Sequence, residues 1–220
     1  MSSKVKLNSI DLKSISGVMV DIDDTLYSYK IPNDEGIKAC YESLKSSRLI
    51  HSVSHDEFKH LYVQNRLLVT KKLHPQGACR SRQFAFDSLL NDLKIPKAYI
   101  HALKYEKIYW QSFLQAMKAS FEMKNFLIDV KKQGLITCAV TDMQASFQVA
   151  KLKKLNVSRY IDFLATSEEA GAEKPNKKIF FLALQKMQLN KSKVIMIGDS
   201  IKKDIKGAES VGIQAIHYKA

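Results

Sequence analysis

Gly17-Val18-Met19-Val20-Asp21-Ile22-Asp23-Asp24-Thr25 decides how the rest of the chain is read. Four residues without a charge run straight into a segment that places acids at 21, 23 and 24. A short, unbroken apolar run reads as a strand buried on both faces, as in a parallel sheet. Asp is common in turns, but three acids pressed against a buried strand point to chemistry rather than to a solvated loop.

Working outward, similar apolar runs lie at 135–140, 193–197 and 213–217, with a weaker one at 161–165. Helical patterns at 122–133, 144–155, 176–187 and 203–211 separate them. Such alternation predicts a parallel sheet covered by helices, an α/β fold. Residues 27–117 read differently, with amphipathic stretches near 34–47, 54–73, 78–93 and 97–117 and few strand-like runs. Ser54 and Glu57 form a capping-box signature for the second stretch. This segment is far too long for an inter-strand loop. The expected organisation is an α/β core built from residues 1–26 and 118–220, interrupted by a helical lobe at 27–117.

The composition bounds the partners. A chain of 220 residues, 45% hydrophobic and 26% charged, has the profile of a soluble globular protein. No apolar run approaches the roughly 18 residues of a membrane span, and residues 1–15, broken by Lys4, Lys6, Asp11 and Lys13, do not resemble a signal peptide. Cys40, Cys79 and Cys138 are widely spaced and odd in number, which reads as reduced thiols and a cytoplasmic setting. The net charge of +13 is spread along the chain, with local pairs such as Lys71-Lys72, Lys153-Lys154 and Lys202-Lys203. Solvated helix faces account for these pairs, so no nucleic-acid partner is expected. A positive field would still collect anionic substrates.

The residues that close each strand carry the functional reading. Asp21 and Asp23 follow the first strand, Thr141 and Asp142 the second, and Asp199 the run at 193–197, with Asp204 shortly after. In a parallel sheet the carboxyl ends of the strands share one edge, where ligands bind. Several carboxylates gathered there repel one another, and their ionised state calls for a cation. Oxygen ligands suit Mg²⁺, which keeps positions open for a substrate phosphate. Taken singly, Thr141 is an ordinary strand end, Lys174 a solvated lysine before a helix opening at Pro175, and Asp199 and Asp204 acids near a helix start. Their convergence makes the site. His51 and His55 have the spacing of a metal pair but span a turn, and Tyr105, Tyr109, Trp110 and Phe113 read as core packing. Arg66, Lys71, Lys72, Arg80 and Arg82 are basic candidates among which the sequence does not choose.

Asp21-Ile22-Asp23-Asp24-Thr25-Leu26 resembles the first motif of the haloacid dehalogenase superfamily. Thr141 matches the second motif, Lys174 in Gly171-Ala172-Glu173-Lys174-Pro175 the third, and Gly198-Asp199-Ser200 with Asp204 the fourth. Asp142 stands where many relatives carry Asn. The resemblance implies a Rossmann-like parallel sheet core with an inserted α-helical cap domain. It implies a Mg²⁺-dependent phosphatase acting on a small phosphorylated metabolite, with no membrane partner. Asp21 would be the nucleophile and Asp23 the general acid and base. Thr141 and Lys174 would bind the phosphoryl oxygens. Asp21, Asp199 and the backbone carbonyl of Asp23 would hold the metal, with Asp204 supporting. A phosphomutase uses the same residues, and a non-catalytic anion- or partner-binding protein is the alternative from another class. A dehalogenase would not need the acid at Asp23, because halide leaves without a proton.

Overall fold

The computed structural model describes Leu7 and residues 10–220. The alternation read over residues 1–15 falls partly on positions 1–6, 8 and 9, outside the described residues. The chain divides into two compact units: the residues up to Tyr29 together with Lys118–Ala220, and Lys30–Met117.

The first unit is built on a parallel five-stranded sheet. Its strands are β1 (Gly17–Val20), β2 (Ile136–Thr141), β3 (Phe163–Thr166), β4 (Val194–Gly198) and β5 (Gln214–His217), in the spatial order β3-β2-β1-β4-β5. β1 is central because its four residues are uncharged and buried throughout. Met19 joins Cys138, Val140 and Met196 in one core cluster with Ile179, Phe180 and Val211. Val18 and Val20, which alternation turns to the opposite face, are equally buried. Both faces are therefore covered. Val20 pairs with Ala139 and Ile197, so Asp21 lies level with Val140 and Gly198, and its N–H donates to the Ile197 carbonyl at 2.9 Å.

The β2–β3 pairing is fixed by one carboxylate. Asp162 Oδ2 accepts from Thr137 N–H at 2.9 Å, from Thr137 Oγ1 at 3.0 Å and from Lys131 Nζ at 2.7 Å. Burial alone would raise its pKa, but the bonds from Lys131 and Thr137 outweigh that and hold the carboxyl below the usual range. A depressed carboxylate contributes stability above its unfolded pKa and loses it as pH falls through the folded value. Replacing Asp162 by Asn is expected to lower the urea unfolding free energy at pH 7 by about 1 kcal/mol, the pair being partly solvated. The gap should close below about pH 4. A gap that does not change with pH would assign the effect to packing instead.

The second unit consists of helices α1 (Lys30–Ser46), α2 (His55–Leu73), α3 (Arg82–Asp92) and α4 (Ala98–Ala116). Ser54 caps α2 by accepting from Glu57 N–H, and Ser81 caps α3 by accepting from Phe84 N–H. Tyr105, Tyr109, Trp110 and Phe113 of α4 are buried in its core with Tyr62 and Phe86. Arg82 is buried here too, its guanidinium 5.5 Å from the Tyr109 ring and 5.6 Å from that of Trp110.

The remaining helices belong to the first unit: α5 (Phe121–Lys132), α6 (Ala145–Lys154), α7 (Ser167–Ala170), α8 (Lys177–Met187) and α9 (Lys206–Glu209). One element departs from expectation. The helix read over 203–211 begins earlier, as a π-helical turn at Ile201–Ile205, before α9. That turn swings Asp204 back over the end of β4, and π turns are frequent at functional sites. The approach requires Gly198: a Cβ there would lie 2.4 Å from Asp204 Cγ.

Candidate active site

The carboxyl edge of the sheet gathers Asp21 from the end of β1, Thr141 from the end of β2, and Asp199 with Asp204 from beyond β4. Lys174 reaches the same edge from the loop between α7 and α8. Its ammonium has three protons to donate, and three acceptors surround it: Asp21 Oδ1 at 2.6 Å, Asp204 Oδ1 at 2.6 Å and the Val140 carbonyl at 2.9 Å. Asp204 Oδ2 accepts from Ser200 N–H at 2.9 Å. Lys174 is thus the hub of the cluster, and the two carboxylates push its pKa well up despite its burial.

Asp21, Asp199 and Asp204 each offer a ligand atom within 4.8 Å of the others. Among the described residues no other such group of His, Cys, Asp or Glu occurs. The electrostatics follow from this crowding. Burial first, then Asp204 and Asp23, raise Asp21 above the carboxylate range even though Lys174 pulls it down. Burial and the charges of Asp204 and Asp24 push Asp199 up to about 6. Carboxylates that disfavour ionisation together regain it when a cation joins them. The oxygen-only donor set fits a hard divalent ion. Asp21 and Asp199 belong to the metal set expected from the sequence, and the π turn brings Asp204, expected in a supporting role, beside them.

Asp23, two residues past Asp21, is held by groups the sequence reading did not single out. Lys151 Nζ lies 2.6 Å from Asp23 Oδ1, and the Tyr27 hydroxyl donates to that same oxygen. Gln148 Nε2 reaches Asp23 Oδ2 at 3.5 Å and binds Thr141 Oγ1 and the Asp142 carbonyl, both at 2.7 Å. Burial would raise Asp23, but the charge and hydrogen bond of Lys151, helped by Tyr27 and Gln148, overcome it and hold the carboxyl below its ordinary value. Periodicity carried a signal for this pair. Gln148, Lys151, Leu152 and Leu155 fall at i, i+3, i+4 and i+7, the inward face of a helix, and all four are buried.

Asp142, the departure from Asn, has a local explanation. Its Oδ1 accepts from Lys174 N–H at 2.9 Å, a bond an amide oxygen could also take, while Oδ2 pairs with Lys203 Nζ at 2.6 Å. The extra charge is matched by Lys203, which also lies 3.5 Å from Glu173. Asp24 sits at φ 60° and accepts from Tyr29 N–H at 3.0 Å, closing the loop after β1. Among the described residues, neither His51 nor His55 belongs to a group of three possible metal ligands.

The chain is similar to known proteins over most of its length. The family model of haloacid dehalogenase-like hydrolases matches residues 18–218. A ribulose-1,5-bisphosphate 5-phosphatase from Halopiger xanaduensis is 30% identical over 203 residues, 92% of this chain and 84% of that protein. A glyceraldehyde 3-phosphate phosphatase from Methanopyrus kandleri is 27% identical over 93% of this chain and 84% of its own length. Among solved structures, a 2-haloacid dehalogenase from Pseudomonas syringae superposes with a TM-score of 0.73 at 21% identity, covering 93% of this chain and 86% of that one. A magnesium-bound hydrolase from Bacillus subtilis, YfnB, gives 0.70 at 18% identity, covering 92% and 88%. No helix among the described residues is long and apolar enough to cross a membrane. With its motifs in order on one sheet edge and the family model spanning nearly all of the sheet unit and the segment inserted in it, the chain belongs to the haloacid dehalogenase-like hydrolases.

Proposed function

We propose that this protein is a Mg²⁺-dependent phosphatase that hydrolyses a small phosphorylated metabolite, of the sugar-phosphate class, through a phospho-aspartate on Asp21. The observation that carries the reading is the meeting of Asp21, Asp199 and Asp204 around Lys174, with a second carboxylate, Asp23, held close by. The names of the relatives from Halopiger and Methanopyrus support the substrate class.

In this reading Asp21 attacks phosphorus in line and forms an acyl phosphate, which divides one displacement into two. Asp23 protonates the leaving oxygen and then takes a proton from the water that hydrolyses the intermediate. A dianionic phosphoryl group arriving beside Asp23 raises its pKa and so supplies the acid form when it is needed. Thr141 orients the equatorial oxygens by hydrogen bonding, and the charge of Lys174 neutralises them. Asp21, Asp199 and the Asp23 backbone carbonyl would hold the metal, with Asp204 supporting, and the ion would supply charge neutralisation for the anionic nucleophile and substrate. The helical unit governs which ester is preferred, and the buried cysteines Cys40, Cys79 and Cys138 suit a reducing cytoplasm.

Phosphate release from a panel of sugar phosphates, nucleotides and 4-nitrophenyl phosphate tests the reading. Release should vanish on exhaustive chelation and return with Mg²⁺. Ca²⁺ should restore it poorly, because its flexible shell engages carboxylates through both oxygens. In the same assay, exchanging the lobe for that of a relative should change the preferred ester and leave the Mg²⁺ requirement intact. Full activity after chelation would sink the metal-dependent mechanism.

A further inference from the structure

Lys151 lies two residues before the pair Lys153-Lys154, which on sequence reads as solvated helix surface. Lys153 and Lys154 are exposed, but the Lys151 side chain has no exposed area. Burying an ammonium is costly unless it is paired. A hydrocarbon side chain would fill the same space without that cost, so the charge itself requires a reason.

The geometry supplies one. Asp23 Oδ1 is held on two sides, by Lys151 Nζ at 2.6 Å and by the Tyr27 hydroxyl. The ammonium also stands 5.9 Å from the centroid of the Tyr27 ring. Among the described residues, Oδ2 meets the amide of Gln148 alone, at 3.5 Å. One oxygen is therefore anchored while the other remains available to exchange a proton. Lys151 and Gln148 sit one helical turn apart on α6, so the element that fixes Thr141 also fixes Asp23. We infer that Lys151 is a positioning residue: it clamps Oδ1 of Asp23 and thereby aims Oδ2 at the oxygens that gain and lose protons. This inference rests on the phosphatase reading above.

The test compares Lys151→Met, Lys151→Arg and Tyr27→Phe with wild type on two substrates, a sugar phosphate and 4-nitrophenyl phosphate. Alkoxide departure needs an acid, whereas nitrophenolate departure does not, and hydrolysis of the phospho-enzyme needs the base in both cases. Lys151→Met should lower kcat on the sugar phosphate about 10²-fold, the lower end of a general acid–base contribution, with KM within about threefold. On 4-nitrophenyl phosphate it should instead show a burst of one nitrophenolate per enzyme followed by slow turnover. Lys151→Arg should recover part of kcat. Tyr27→Phe, which keeps the ring, should show the same pattern more weakly, and it serves if Lys151→Met does not fold. Unchanged kcat in the folded variants, or an equal loss on both substrates without a burst, overturns the positioning role. Wild type that releases no phosphate from either ester overturns the phosphatase reading, Asp21→Asn that keeps activity overturns its phospho-aspartate step, and either takes the inference with it.

Discussion

Asp21→Asn is expected to abolish turnover, with kcat reduced on the order of 10⁴-fold or more, as for other nucleophiles whose partners act as a unit. The substitution keeps the size of the side chain and its hydrogen bond to Lys174, so the fold should survive. Loss of activity alone does not separate attack by Asp21 from attack by water, because the same change removes a metal ligand. Stereochemistry does. Each in-line displacement inverts phosphorus once, so the phospho-aspartate route gives net retention with a thiophosphate ester made chiral by oxygen isotopes. Direct attack by water gives inversion. Retention in wild type, together with acid-stable radiolabel from the labelled ester phosphate that is absent in Asp21→Asn, is the expected result. Inversion would exclude the covalent intermediate.

Lys174→Met should be nearly as damaging, for a different reason. Its ammonium satisfies Asp21, Asp204 and the Val140 carbonyl at once, and the side chains of all three charged residues are almost fully buried. Removing one partner of a buried ionic cluster leaves the others uncompensated and costs about 3–5 kcal/mol. Urea unfolding in EDTA should show a loss of that size, and phosphate release should fall about 10³-fold, as when a donor to the developing charge is deleted. Lys174→Arg should not rescue either property. The planar guanidinium cannot aim three protons at acceptors arranged around a point. A variant as stable as wild type in EDTA would mean that the carboxylates are neutral in the folded protein and do not depend on the lysine.

Most of the fold was legible in the sequence because its signals are local. An apolar run such as Gly17–Val20 has no stable place except inside a sheet, and the alternation of such runs with helical periods fixes a parallel arrangement. The same rule places Asp21, Thr141 and Asp199 at one edge, since parallel strands end together. Periodicity likewise put the aromatics of α4 in a core. The helix after β4 was legible only in part, because a π turn differs from an α-helix by one residue of register, which no composition marks.

The tertiary structure decided the partners. Lys151 and Lys153 are the same residue type two positions apart, and only the packing of α6 buries one against Asp23 and leaves the other in water. Asp142 likewise acquires its counter-charge from Lys203, 61 residues away in sequence. A sequence determines which groups can ionise and, through periodicity, which face of an element turns inward. Which charge meets which depends on distances between elements remote in the chain, and a Coulomb interaction at 2.6 Å exists only once those elements have packed.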